Sequence, residues 1–210
     1  MYLSRVEIDN NNRNYIRSLN HVGAYHDWVE QAFPEEISRG IRSRKLWRID
    51  RLTGKDYLLV VSETKPDKNL LERYAVKESY ACKDYSSFLN TIRAGEKYHF
   101  RVVLNPIHSV LEEGKKRGKV YPLYSEEDQL HFLSSRAEKY GFHINENEYM
   151  VTERGQEKLL KRGGKSANLV KAVYEGLLVV DNAEKFVELL INGMGREKAY
   201  GFGMMTVIRA

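Results

Sequence analysis

Apolar and charged residues alternate from Tyr2 to Ile8, with Leu3, Val6 and Ile8 on the apolar side, and this alternation predicts a strand. Asn10, Asn11 and Asn12 break it. From about Asn20 to Phe33 the period changes. Val22, Val29, Ala32 and Phe33 recur at helical spacing, which predicts a helix with these residues toward the core and Pro34 as its stop. Lys45 to Ile49 and Tyr57 to Ser62 read as two strands of a hairpin turning at Thr53-Gly54. Lys68 to Arg73 suits a short helix, and Val76 to Tyr85 alternates again as a strand. The order is β-α-β-β-(α)-β, that of a ferredoxin-like unit.

Ser86 to Gly95 reads as a connector, after which the order restarts. Tyr98 to Leu104 is a strand ended by Asn105-Pro106, and the polar run 112–119 is expected to be mobile. Ser125 with Asp128 forms a capping box before a helix that runs to about Tyr140 and stops at Gly141. Residues 143–160 and 168–180 read as two long strands joined by a hairpin tip, LLKRGGKSAN. Asp181-Asn182 caps a helix through Leu190, and Met204 to Ile208 is a closing strand. The pattern predicts an α+β protein of two tandem ferredoxin-like (RRM-like) βαββαβ domains, at 1–88 and 95–210. No residue-level repeat supports this; it is an inference from element order.

Composition narrows the class. The chain has 210 residues, 42% of them hydrophobic, which is enough for a sizeable core. Its formal net charge of +5 mildly favours a polyanionic partner. The one cysteine, Cys82, excludes an internal disulfide framework and a multi-thiolate metal site. No signal peptide or membrane-length apolar run is visible, so a cytoplasmic protein without a membrane partner is expected.

Between the last helix and the last strand lies GMGREKAYGFG. Gly193, Gly195, Gly201 and Gly203 mark backbone that takes positive φ or approaches something closely. Amides of such a loop, with Arg196 and Lys198 beside them, suit a phosphate; on the glycines alone a ligand-free αβ turn is slightly favoured. A dinucleotide fingerprint fails, because Lys198 stands where the third glycine belongs and the order is helix then strand. A P-loop fails because Leu159 replaces the glycine that should precede Gly164-Lys165-Ser166. The YGFG at 200–203 has the core of an RNP1 motif, but Met204 and Val207 lack its stacking aromatics.

The six histidines are His21, His26, His99, His108, His131 and His143, and none has metal-ligand spacing. No metal or cofactor is expected. There is no G-x-S-x-G elbow for a serine nucleophile. Acid–base work remains, on a substrate that brings its own nucleophile, as RNA does through its 2′-OH. His26 sits beside the core face of the first helix, where it reaches solvent, and an unperturbed imidazole exchanges protons near neutral pH. His21 precedes the helix proper and is the rival. His99 falls in a strand pattern and reads as structural.

A helix–G-x-G-x-x-K-x-x-G-x-G–strand close, the opening MYLSRVEID, His26 in AYHDWVEQAFP, and FRVVLNP at 100–106 together resemble the CasE (Cse) family. These are repeat-associated RNA-processing proteins (RAMPs), the CRISPR RNA endoribonucleases of the type I-E Cascade complex. The resemblance covers essentially the whole chain. It implies a double ferredoxin fold, cleavage of CRISPR repeat RNA hairpins without a metal, and assembly with other Cascade subunits. It aligns the family's early-helix histidine with His26 through H-x-x-x-x-x-x-F-P. The family often has a tyrosine three residues earlier, where this chain has Gly23. Tyr25 is adjacent, but neighbours on a helix lie about 100° apart.

RNA binding is assigned to the long hairpin and the glycine loop: Lys158, Lys161, Arg162, Lys165, Lys171, Gly193, Gly195, Lys198, Gly201 and Gly203. Protruding cations of the hairpin meet phosphates; a solvated edge strand accounts for the same charges. The run from Arg39 to Arg48, with Arg42, Arg44 and Lys45 between, has the same two readings, and its alternation leaves one face for RNA. The expected activity is that of a metal-independent endoribonuclease acting by 2′-OH attack. The alternatives are a catalytically inactive RNA-binding RAMP subunit and, more distantly, a ferredoxin-like structural or anion-binding protein.

Overall fold

The computed structural model describes residues 1–111, 114, 118–160 and 166–210. Four strands, β1 (Tyr2–Glu7), β2 (Lys45–Leu52), β3 (Lys55–Ser62) and β4 (Ala81–Asp84), form an antiparallel sheet ordered β2-β3-β1-β4. This is the ferredoxin-like order. The β2–β3 hairpin turns on two left-handed residues, Thr53 and Gly54, whose twist matches that of the strands. One face of the sheet is covered by α2 (Val22–Gln31) and the short α4 (Lys68–Leu71). Val22, Trp28, Val29, Ala32, Phe33 and Leu71 pack there on Val6, Ile8, Trp47, Leu58 and Val60. The helical periodicity of the sequence is therefore the core face of α2.

Local signals were missed around this helix. The asparagines after β1 do more than end a strand: the Asn12 side chain accepts from the amides of Asn14 and Tyr15 and so starts α1 (Arg13–Ser18). Pro34 follows the end of α2 as expected but also opens α3 (Pro34–Ser38), where a missing N–H costs nothing. Glu36 of α3 is buried and accepts from Lys45 Nζ at 2.7 Å, from Ser43 and from Thr64. Burial alone would raise its carboxyl, but these hydrogen bonds outweigh burial and hold it at about 2. Of the strand expected at 76–85 only β4 forms, because Glu78 is left-handed and the Tyr80 amide is tied to the Glu72 carboxylate. The connector after it holds a turn of helix, α5 (Ser86–Leu89).

The second sheet repeats the order. Its strands are β5 (Lys97–Leu104), β8 (Phe142–His143), β9 (Tyr149–Leu160), β10 (Ser166–Val180) and β11 (Met205–Arg209), with β11-β5-β10 side by side. Both β8 and β9 lie along the far side of β10. The single strand expected at 143–160 is thus split. Asn147 takes a left-handed φ, and the Glu148 carbonyl crosses so close to Gly176 that no side chain fits there. The helices are α6 (Glu126–Ala137), capped by Ser125, and α7 (Ala183–Asn192), capped by Asn182. A hairpin of β6 (Ile107–Val110) and β7 (Lys119–Pro122) lies between β5 and α6. Its short polar strands carried no periodic signal. The mobility expected for 112–119 and the hairpin-tip cations Lys161, Arg162 and Lys165 fall wholly or largely outside the described residues. Among those described, no helix is long and apolar enough to cross a membrane.

The two units share a core. Leu46 and Val61 of the first sheet join Tyr98, Phe100, Tyr174, Phe186 and Leu190 of the second. Arg48 on β2, only 1% exposed, ties them together. Its Nε and Nη2 donate to the Asp50 carboxylate at 2.7 and 2.6 Å. Nη1 donates to the Arg101 and Met204 carbonyls, and Nη2 also to Thr206 Oγ1. Arg101 adds a bond to Asp50 and pairs with Glu175. A guanidinium has five N–H donors, and every one is used. Arg48 and Lys45 therefore leave the expected RNA-facing set of the 39–48 run, while Arg39, Arg42 and Arg44 remain exposed at the surface.

Candidate active site

The site forms where α2, β2, the β9–β10 hairpin and the glycine loop meet. Helix α2 begins at His21, whose Nδ1 accepts from the Ala24 amide at 3.2 Å. One turn on, Tyr25 stacks on Trp47 of β2, with ring centres 5.8 Å apart. Burial, then the charges of Asp56 and Glu157, push the Tyr25 phenol up to about 12, so it stays protonated. Trp47 donates its indole N–H to the Ala199 carbonyl at 3.0 Å. This bond holds the loop against the first unit and places Tyr200 edge-on to His26, with centres 5.6 Å apart. His26 is half-buried. From the other side, Leu159 of β9 inserts into the first unit's core.

These contacts border an open pocket of about 380 Å³. Its lining includes His21, Tyr25, Lys158, Lys171, Tyr200 and Gly201. Residues from the first helix, the hairpin and the glycine loop therefore converge; His26 is not in this lining but touches Tyr200, which is. The expected residues do not all contribute equally. Lys158 is exposed with no partner among the described residues. Lys171 is held by Glu153 at 2.7 Å and Glu157 at 3.2 Å. Its burial would lower the ammonium, but the two carboxylates prevail and raise it. Lys198 donates to the Asn192 and Gly193 carbonyls, both at 3.0 Å, and so caps the C-terminus of α7. Burial, then Arg44 and Lys139, hold its ammonium below the usual range. Lys139 was not singled out in the sequence; only folding brings it beside Lys198. His99, read from its strand pattern as structural, is exposed on β5.

All four loop glycines have positive φ. Three are also required by the chain itself: an added Cβ at Gly193 would meet Leu46 at 2.8 Å, at Gly201 the Trp47 ring at 2.8 Å, and at Gly203 the Met194 carbonyl. The amides of Gly193, Met194, Gly195 and Gly203 go to Leu189, Gly203, Tyr140 and Val103. The loop is thus built first for close packing on β2, and these four amides are spent inside the protein. Gly201→Val combines a β-branched residue at φ 85° with a collision against Trp47. It is expected to cost at least about 2 kcal/mol of stability, read from the urea unfolding midpoint. An unchanged midpoint would show that the loop tolerates a side chain there.

Among the described residues no three His, Cys, Asp or Glu side chains gather as a metal cage. The arrangement offers one imidazole, a protonated phenol and two lysines around one pocket, with a second imidazole beside Tyr200, which suits proton transfer beside a polyanion.

The chain is similar over its whole length to known proteins. The chain is 26% identical to the CRISPR-associated endoribonuclease Cse3 of Thermus thermophilus over 99% of both chains. It is 27% identical to the CRISPR system Cascade subunit CasE of Escherichia coli over 124 residues, which is 55% of this chain and 60% of that one. A structure of Thermus thermophilus Cse3 bound to an RNA representing a pre-cleavage complex superposes with a TM-score of 0.80 at 23% identity, covering 99% of this chain and 98% of the other. The tandem ferredoxin-like fold is therefore shared. The family model described as CRISPR associated protein matches residues 1–209, and the chain belongs to that family, whose CasE (Cse) members its sequence resembles.

Proposed function

We propose that this protein is a metal-independent endoribonuclease that cuts CRISPR repeat transcripts at a stem-loop and stays on its product within Cascade. The observation that carries the reading is the edge contact of His26 with Tyr200, a residue that lines one pocket together with Lys158 and Lys171 of the hairpin. The relatives support it: one is an endoribonuclease of this length, one is a Cascade subunit, and one is seen with pre-cleavage RNA.

The stem would lie along β9 and β10, with Lys158, and with Lys161, Arg162 and Lys165 of the tip, on its phosphates. Lys171 and Lys198 act chiefly by shaping the floor and the loop, since their ammonium groups are already partnered. The glycines act in the same way, by keeping the loop close to Trp47. The 2′-OH upstream of the cut attacks the adjacent phosphorus. Its oxygen–phosphorus bond forms as the bond to the 5′-oxygen breaks, which leaves a 2′,3′-cyclic phosphate (opening to a 3′-phosphate) and a 5′-OH. His26 exchanges the proton, and surrounding cations neutralise the charge that builds on the phosphate oxygens. Tyr25 is a packing phenol on Trp47, too reluctant to ionise to act as a base.

Two substitutions in the assay test this together. A labelled repeat hairpin should be cut equally well in excess EDTA, and a 2′-deoxyribose at the cut should abolish the reaction. A requirement for Mg²⁺, or cutting of the deoxy substrate, would overturn the mechanism. Tight binding with no cutting of either RNA would make the chain an inactive RNA-binding subunit.

A further inference from the structure

Building on the His26 reading, we propose that His21 is a second substrate-contacting group, a neutral imidazole whose Nε2–H donates to a non-bridging oxygen of the scissile phosphate. Three observations place it there. First, His21 lines the pocket together with Lys158, Lys171 and Gly201. Second, its Nδ1 accepts the Ala24 amide at 3.2 Å. A ring nitrogen that accepts carries no proton, so the ring is neutral and its hydrogen is on Nε2. Among the described residues Nε2 has no partner. Third, a Cβ built at Gly23 would lie 2.9 Å from His21 Nδ1 and 3.0 Å from its Cε1.

The third observation sets the direction. Residues three apart on a helix share a face, so position 23 lies one turn above His26. The His21 ring stands against Gly23, on that same side. It fills the space that a side chain at 23 would need, and only glycine leaves it room. His21 lines the pocket directly and His26 reaches it through Tyr200, one as a fixed donor and the other as the proton carrier.

The chemistry also decides which role His21 takes. While it caps the helix, it has no free lone pair with which to act as a base. Giving up Nε2–H would leave an imidazolate, so it is not the acid either. What remains is a hydrogen-bond donor already oriented by the helix it caps. Neutral histidines at helix N-termini serve as electrophiles in this way elsewhere. No proton is transferred to or from His21, and the proton balance of the cut stays with His26.

The test separates this role from capping alone. In His21→Ser the hydroxyl keeps the cap but cannot reach the phosphate. Its thermal midpoint and RNA affinity should stay close to wild type, while single-turnover cleavage falls by about 10²-fold, the usual loss for one oxyanion donor. The pH–rate profile should keep its shape, because the proton transfers stay with His26. Phosphorothioate RNA gives an independent readout. Wild type should cut one diastereomer at the scissile phosphate much more slowly than the other, and His21→Ser should lose that difference.

Near wild-type cutting by His21→Ser, alongside a dead His26→Ala, would overturn this inference and leave the cleavage reading standing. So would a slow His21→Ser that keeps the full stereochemical preference. Equal cutting of both diastereomers by wild type would overturn it without any variant. Active His26→Ala would instead remove the cleavage reading on which it rests.

Discussion

Replacing His26 by alanine is expected to slow single-turnover cleavage of a repeat hairpin by about 10²–10⁴-fold, the range for loss of a positioned general acid or base. Affinity should barely change, since one imidazole adds little to a polycationic interface. The ring is half-buried and makes an edge contact with Tyr200, not a core contact, so its removal leaves no large cavity. The folded state of His26→Ala should therefore match wild type by thermal unfolding. The measurement is the rate at saturating enzyme, where binding no longer limits. A rate near wild type would show that proton transfer comes from elsewhere and would end the assignment of His26.

Replacing Arg48 by alanine is expected to cost about 3–5 kcal/mol, the usual loss when one partner of a buried ion pair is removed. Two consequences make the site severe. Asp50 would remain buried with only Arg101 beside it. The carbonyls of Arg101 and Met204 would lose their Arg48 donor between the two sheets. Arg48→Lys should rescue little, because one ammonium cannot span a carboxylate, two carbonyls and a hydroxyl held by five fixed donors. Arg48 also neighbours Trp47, which anchors the glycine loop through Ala199. Loosening β2 should thus release the loop and lower cleavage along with stability. Urea unfolding followed by tryptophan fluorescence checks this, and a midpoint within error of wild type for Arg48→Ala would contradict it.

Arg48 also shows where sequence reasoning stopped. In the run from Arg39 to Arg48 nothing local distinguishes a cation aimed at RNA from one aimed at the other unit. Charge is a property of the residue, whereas its partner is decided by the fold. Asp50 is two residues away, but the Arg101, Met204 and Thr206 groups lie 53 to 158 positions along the chain. The same limit applies to Lys198 and Lys171. Each reads as a free cation beside a candidate ligand site, and each is held by oxygen atoms of its own protein.

What the sequence determined by itself was the order and type of the strands and helices that make the two βαββαβ units, and through them the fold. Hydrophobic period separates strands from helices without long-range information, and Ser125, Asn182 and Gly141 punctuate helices through bonds that reach only a few residues. Turn chemistry of that local kind also set the Thr53-Gly54 hairpin. His26 was singled out as a candidate by its place beside the core face of a helix and by the family pattern around it. Only the tertiary structure decided what surrounds it. The Trp47 hydrogen bond that brings Tyr200 to His26 joins residues 152 positions apart. The fit of His21 against Gly23 depends on how one ring folds back over a helix start. Such contacts follow from packing two units on a shared core, which no periodicity along the chain records.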